Sequence, residues 1–170
     1  HLRWPVDGDV LLNYSMDKSI YFSTLNQYKY HPAVVIAAEL GSEVRSAARG
    51  KVSQIRNDEE TGTTVSMNIG NGYELTYGQL KEVSVKEGDV VEDGGLIGYV
   101  SEPSKYYCEE GSNLYFKLTK DIDLSANRWI PIGSGSASKS FHAFSGYFDG
   151  NDKTITDVCE NEIIINSEDN

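Results

Sequence analysis

Residues 28–52, YKYHPAVVIAAELGSEVRSAARGKV, decide how the first part of this chain folds. The alanines of this stretch suggest a helix, but Pro32, Gly41 and Gly50 interrupt any helical run. The apolar run VVIAA (34–38) is short and begins with β-branched residues, which is typical of a buried strand. We therefore interpret the whole stretch as strands joined by turns.

Short strand-like segments continue beyond this stretch. Runs such as GKVSQIR (50–56) and TTVSMNIG (63–70) are rich in β-branched residues, and turn sequences such as GNG (70–72) separate them. Hydrophobic residues make up 39% of the 170-residue chain, which is enough to build a core. Because we find no long amphipathic helical pattern, the sequence predicts an all-β fold.

The charge of the chain restricts its partners. The sequence has 26 acidic and 15 basic residues, and its formal net charge is −11. This charge argues against binding to nucleic acid, whose phosphates need Lys and Arg, and against direct contact with an anionic membrane. No run approaches the ~20 apolar residues that span a bilayer. The chain begins HLRWPVDGDV, without Met or a signal peptide, so we expect any membrane anchor to lie upstream.

Five sequence blocks, in order, resemble the lysostaphin/LytM-type zinc endopeptidase domain, which cleaves peptidoglycan cross-bridges. The blocks are WPVDGDV (4–10), HPAVVIAAELGSEVRSAARGKV (31–52), IGNGYELTYGQL (69–80), VSVKEGDVVEDGGLIGYV (83–100) and EGSNLYFKL (110–118). The resemblance implies an antiparallel β-sheet or sandwich fold. We therefore expect a LytM-like domain over residues 1–120.

The residues that would hold zinc in this family are replaced here. A catalytic zinc site uses three protein ligands and leaves one position for water. In the family the ligands come from a His-x-x-x-Asp motif and from the second His of His-x-His, and the matching positions are His31, Val35 and Tyr115. Valine cannot bind a metal, and a neutral tyrosine is a poor ligand. The departures from the family pattern imply no metal and no cofactor.

The two remaining histidines of the family, which position and polarise the attacking water, are also replaced. The matching residues are Gln79 and Asn113, and neither side chain transfers a proton near neutral pH. The sequence therefore predicts an inactive homologue of the endopeptidase, with no catalytic residue.

We predict that the former cleft persists as a binding groove. Strand alternation would place the polar replacements on one face, towards the cleft. The predicted groove residues are His31, Val35, Tyr77, Gln79, Asn113 and Tyr115. In the alternative interpretation these residues only fill the space of the lost metal, and His31 is an ordinary hydrogen-bonded or solvent-facing loop residue before Pro32.

The segment PSKYYCEEGSNLYFKL (103–118) is also similar to the LytM-like domains of the stage II sporulation protein Q group of endospore-forming bacteria. Those domains bind a partner protein across the intermembrane space, and many of them are catalytically silent. The resemblance implies an extracytoplasmic location in the cell envelope and a protein partner, and peptidoglycan is the other ligand that we consider.

Residues 121–170 differ in composition from the rest of the chain. The blocks DIDL (121–124), RWIPIG (128–133) and FDGN (148–151) resemble one copy of the repeat found with GLUG motifs on bacterial surface proteins. Such a copy would form one coil of a β-solenoid, and a lone coil needs a neighbour to cover its apolar face. We expect this appendage to end in a frayed acidic tail.

Three functions remain open at this point. The first is a non-catalytic binding module of the bacterial cell envelope, which contacts a protein partner or peptidoglycan through the former groove. The second is a zinc-dependent peptidoglycan endopeptidase with an altered ligand set, for which only His31 argues. The third is a surface adhesion or structural module that uses the C-terminal repeat.

Overall fold

The computed structural model of the chain describes residues 2–120, 122–123 and 155–156. The described residues form thirteen strands and contain no helix, so the prediction of an all-β fold is confirmed. The strands are β1 (Val10–Leu12), β2 (Ser15–Phe22), β3 (Gln27–His31), β4 (Val34–Ala37), β5 (Glu43–Arg45), β6 (Gly50–Asp58), β7 (Gly62–Gly70), β8 (Tyr73–Lys81), β9 (Val90–Val91), β10 (Leu96–Val100), β11 (Asn113–Lys120), β12 (Ile122–Asp123) and β13 (Ile155–Thr156). No helix long and apolar enough to span a membrane occurs in this part of the chain.

Nine of the strands form one large sheet. Its order is β1-β4-β11-β8-β7-β6-β9, with β10 paired to β5 and to β8. The strands pair antiparallel, as the sequence predicted, in β1–β4, β4–β11, β5–β10, β8–β10, β6–β7, β6–β9 and β7–β8. Strands β2 and β3 form a separate antiparallel hairpin. The adjacent strands β4 and β11 carry three of the six predicted groove residues, Val35, Asn113 and Tyr115.

Alternation along β4 and β11 separates the buried side chains into two clusters. Ile36 and Leu114 point to one side of the sheet, into a cluster that we call the main core. The main core consists of Val6, Ile36, Val44, Ala47, Val52, Val65, Met67, Leu75, Tyr77, Leu80, Val91, Ile97, Val100, Leu114 and Phe116. This cluster is almost entirely aliphatic, so burial of apolar surface is its main source of stability.

The second cluster lies on the other side of β4 and β11, and we call it the cleft cluster. Its buried apolar members are Leu12, Phe22, Ala33, Val35, Tyr107 and Tyr115. They come from β1, from β2, from the turn between β3 and β4, from β4 and β11, and from the connection between β10 and β11. The cleft cluster thus assembles segments that are far apart in the sequence.

The chain divides into two compact units, His1–Thr119 and Lys120–Asn170. In the second unit, Ile122–Asp123 and Ile155–Thr156 form a short parallel pair, with Ile122 opposite Ile155. The predicted GLUG-type repeat, with its motifs RWIPIG and FDGN, otherwise lies outside the described residues, and it stays a prediction.

Candidate functional site

Five of the six predicted groove residues lie at the cleft cluster. The register of β4 and β11 places Val35 opposite Tyr115, and Asn113 begins β11. His31 ends β3, and Gln79 lies near the end of β8. None of these five residues is more than 8% exposed. The structure therefore brings them together in the interior and not on the floor of an open groove.

His31 is enclosed by aromatic side chains. The rings of Phe22, Tyr115 and Tyr107 lie 5.1, 6.1 and 6.4 Å from the imidazole, measured between ring centroids. His31 is 1% exposed and belongs to a strand, so its interpretation as an ordinary loop residue was wrong. The Pro32 that follows it ends β3, because proline lacks the N–H that a strand uses for pairing.

The imidazole of His31 is held in its neutral form. Burial lowers its pKa below the ordinary histidine value, and the positive charge of Lys29 adds to this lowering. Nε2 lies 3.4 Å from the hydroxyl of Tyr107. Nδ1 is buried without a hydrogen-bond partner of normal geometry among the described residues, although backbone groups at Asn13 and Ala33 partly oppose the fall in pKa.

The hydroxyl of Tyr107 links His31 to a carboxylate. It lies 3.4 Å from His31 Nε2 and donates a 3.4 Å hydrogen bond to Glu60 Oε1, and Lys29 Nζ lies 3.7 Å from the same oxygen. Burial, followed by the charge of Glu60, raises the pKa of the Tyr107 phenol far above its usual value. Tyr107 is therefore a neutral phenol that joins a buried imidazole to a half-exposed carboxylate.

Gln79 and Asn113 use their amide groups within the protein. Gln79 Nε2 donates to Asn113 Oδ1 at 3.3 Å, and Gln79 Oε1 accepts from the backbone N–H of Ser104 at 2.9 Å. Asn113 Nδ2 donates to the carbonyl of Gly111 at 2.6 Å. Because these buried groups are paired, they hold β8, β11 and the segment between β10 and β11 together.

Tyr77 does not belong to this cluster, and its predicted place in the groove was wrong. Its ring lies in the main core, 5.3 Å from that of Phe116, and its hydroxyl accepts a hydrogen bond from the backbone N–H of Ala47 at 2.9 Å. Burial raises the pKa of its phenol.

The pairing of β7 with β8 explains why the predicted position of Tyr77 was wrong. The register between β7 and β8 shifts between Tyr77 and Leu80, and Gln79 has a φ of +65° within that shift. An extra residue in one strand reverses which face the following side chains take. Tyr77 and Gln79 therefore point to opposite sides of the sheet, where simple alternation would place them on the same side.

The residues at the family's metal positions do not fit zinc. Val35 offers no donor atom, and burial raises the pKa of Tyr115 to about 12, so its phenol stays protonated at neutral pH. His31 is the one strong donor of the three, and a single imidazole does not build a zinc site. Within the described residues, no group of three or more His, Cys, Asp or Glu side chains is arranged to hold a metal. This donor set does not support a zinc-dependent reaction.

Sequence reasoning missed three residues of the cluster. Phe22 and Tyr107 supply aromatic walls around His31, and Glu60 supplies the carboxylate. Phe22 ends a strand, and its apolar character was a usable signal of burial. Tyr107 and Glu60 lie outside the strands, where no periodicity indicates which side chain points inwards.

Comparison with protein families identifies the class of this protein. The sequence model of Peptidase family M23 matches residues 29–127, which is more than half of the chain. The chain therefore belongs to peptidase family M23, and the predicted LytM-type domain is confirmed at this level.

Two individual proteins match this chain over part of their length. Stage II sporulation protein Q of Bacillus subtilis (strain 168) is 29% identical over 98 residues, which cover 56% of this chain and 34% of that protein. Peptidoglycan DD-endopeptidase ShyA of Vibrio cholerae serotype O1 is 25% identical over 146 residues, which cover 84% of this chain and 33% of that protein. This chain thus spans about a third of the length of both curated relatives.

Solved structures support the same fold. A crystal structure of a SpoIIIAH and SpoIIQ complex contains a chain that matches with a TM-score of 0.61 and 22% identity, over 71% of this chain and 92% of that chain. At this level of identity the likeness concerns the fold alone.

Proposed function

We propose that this chain is a non-catalytic M23-type domain that binds a protein partner in the bacterial cell envelope. The observation that carries this proposal is the side chain of Val35, which is fully buried and aliphatic at the position where the family has a metal-binding carboxylate. Tyr115, opposite Val35, supplies a protonated phenol where the family has an imidazole. A site of this composition does not generate a zinc-bound nucleophile.

The relatives favour a protein partner. One match is stage II sporulation protein Q, and a matching solved structure contains SpoIIQ together with SpoIIIAH. The other match carries the name of a peptidoglycan endopeptidase, which supports a location next to peptidoglycan, outside the cytoplasm.

The binding role of the predicted groove residues stays a prediction. All six of them are buried, and a partner reaches the five at the cleft cluster only if the segment over them moves. Exposed aromatic side chains do occur nearby, on the outer face of the β2–β3 hairpin, where Tyr21, Tyr28 and Tyr30 are 46%, 72% and 55% exposed. Tyrosine is frequent in protein interfaces because it combines a large apolar surface with a hydroxyl group.

Metal content and activity test the non-catalytic part of the proposal. We expect chelator-free protein to contain far less than one zinc per chain by elemental mass spectrometry, and to release no fragments from purified peptidoglycan. Equimolar zinc together with chelator-sensitive cleavage would instead establish the alternative, an endopeptidase with an altered ligand set.

A direct titration tests the partner class. Purified SpoIIIAH is titrated into this chain by calorimetry, and we expect saturable binding that Tyr28→Ser weakens. The control is Val90→Ser, which changes another exposed apolar residue, 57% exposed, on β9. Loss of binding with both variants, or with neither, argues against the hairpin as the contact surface.

Peptidoglycan is the alternative ligand, and the match to ShyA favours it. Co-sedimentation with purified peptidoglycan sacculi distinguishes the two: retention of the chain without any cleavage would make the polymer the ligand. Repeating both assays after removal of residues 121–170 tests the third hypothesis, because unchanged binding would exclude the C-terminal appendage as the adhesive part.

A further inference from the structure

We propose that residues 101–112, which connect β10 to β11, form a strap that closes the former cleft, and that Tyr107 is the plug that the strap inserts. This inference goes beyond the proposed function, because it concerns the access of any ligand to the cleft and does not depend on the identity of the partner. Hydrogen bonds at both ends of the strap and the burial of one ring between them carry the inference.

The first end of the strap is fixed by Ser104. Its backbone N–H donates to Gln79 Oε1 at 2.9 Å, and its hydroxyl donates to the carbonyl of Glu60 at 2.5 Å. The carbonyl of Gln79 also accepts from the backbone N–H of Ser101 at 2.9 Å. The residue that replaces a catalytic histidine of the family thus holds the strap in place.

The second end of the strap is fixed to the turn of the β2–β3 hairpin. The backbone N–H of Glu109 donates to Thr24 Oγ1 at 2.9 Å, and the Thr24 hydroxyl donates to the carboxylate of Glu110. Thr24 is partly exposed, and this contact joins the strap to the hairpin without using any residue of the main core.

Between these two ends, only Tyr107 is buried. Its neighbours Tyr106 and Cys108 are half-buried and exposed, whereas Tyr107 is 0% exposed. Its ring lies 6.3 Å from those of Phe22 and Tyr115, measured between centroids. The cleft therefore encloses a phenol in an aromatic wall.

The polar groups around the hydroxyl of Tyr107 also suit a phenol. The Tyr107 hydroxyl lies 3.4 Å from both His31 Nε2 and Glu60 Oε1, so it has an imidazole nitrogen and a carboxylate within reach. A phenol can donate one hydrogen bond and accept another. We infer that the cleft, which no longer offers a zinc site, is a receptor for a tyrosyl side chain and is filled by the chain's own Tyr107.

The attachment of the strap predicts that it opens as a unit. It contains no strand, and hydrogen bonds to the side chains of Gln79 and Thr24 fix its two ends. Segments of this kind open at a lower free energy than the strands of a core. Opening would expose the aromatic wall and the buried His31 to a ligand.

Chemical complementation tests the plug. In the full chain, Tyr107→Ala removes the ring, and we expect a lower Tm that p-cresol restores by several degrees in a saturable manner. Toluene, which has the same ring without the hydroxyl, should restore less. The wild type and the control Tyr106→Ala should show no p-cresol effect. If Tyr107→Ala folds but its Tm does not respond to p-cresol, the cleft is not a receptor for a phenol and the proposal is wrong.

Hydrogen exchange tests the strap without altering the cluster. Thr24→Ala cuts the second attachment, and we expect the backbone amides of residues 104–111 to exchange roughly tenfold faster or more, while those of β7 and β8 stay unchanged. If these amides exchange as slowly as those of β7 and β8 in both proteins, the strap does not open on its own and the proposal is wrong. This test remains decisive if Tyr107→Ala fails to fold.

Discussion

The main core and the cleft cluster lie on opposite sides of the same two strands, yet they differ in chemistry. The main core is nearly all aliphatic, and the hydroxyl of its Tyr77 is paired with the backbone of Ala47. The cleft cluster mixes aromatic rings with the buried polar groups of His31, Gln79 and Asn113. One face of the sheet thus carries an apolar core. The other face carries aromatic rings and neutral polar groups at the positions that match the reaction centre of the family.

The largest expected effect comes from placing a carboxylate at residue 35, the position that matches the metal-binding aspartate of the family. Val35→Asp would bury a charge without a partner, which costs about 3–5 kcal/mol in comparable cases. We expect that loss in urea unfolding and no gain of zinc by elemental mass spectrometry, because Tyr115 and Tyr107 still occupy the site. The control Val90→Asp makes the same exchange at an exposed position of β9 and should change stability little. Stabilisation of Val35→Asp by zinc would show that the cleft still accepts a metal.

The second-largest loss of stability is expected from a change in the main core. Leu114→Ala leaves a cavity behind β11, and such changes cost about 2–5 kcal/mol. Leu118→Ala, on the same strand but 43% exposed, is the matched control and should cost much less. Equal costs in urea unfolding would contradict the assignment of Leu114 to the structural side of the sheet.

A smaller effect is expected in the polar network of the cleft. Gln79→Ala leaves the N–H of Ser104 and the Oδ1 of Asn113 without their partner, and we expect a total cost of about 1–3 kcal/mol, because water can reach the partly buried N–H of Ser104. Gln54→Ala removes the same side chain from an exposed position of β6 and serves as the control in urea unfolding. If the two variants are equally stable, Gln79 does not hold the network.

The smallest effect is a dependence on pH. The pKa of His31 is lowered in the folded state, so the unfolded chain binds more protons between the lowered value and about 6.5. Stability from this residue is therefore complete above about pH 6.5 and is lost as the pH falls through the folded-state value, by at most about 1.4 kcal/mol per pH unit.

Unfolding of His31→Gln measured across this pH range should lack that component, whereas His142→Gln, the control, should keep it. A His31→Gln profile identical to that of the wild type would contradict the burial of a neutral imidazole.

The sequence predicted one side of this comparison better than the other. The short apolar run VVIAA, with its β-branched residues, correctly indicated a buried strand. The rule that a β-strand exposes alternate side chains to opposite faces failed for Tyr77, because the register shift before Leu80 breaks the alternation. Resemblance to the family singled out His31, Val35 and Tyr115, and the structure brings these three residues together. The resemblance gave no indication of Tyr107, whose burial depends on long-range attachment of an irregular segment.

The order of the large sheet has a consequence for how the chain folds. Strands β6, β7 and β8 pair with their neighbours in sequence, whereas β4 pairs with β11 after a long intervening segment. Short loops close at a lower entropic cost than long ones. We therefore expect the β6–β8 meander to form in the rate-limiting step and the β4–β11 contact to follow. High φ-values at Val35 and low ones at Val65 would contradict this order.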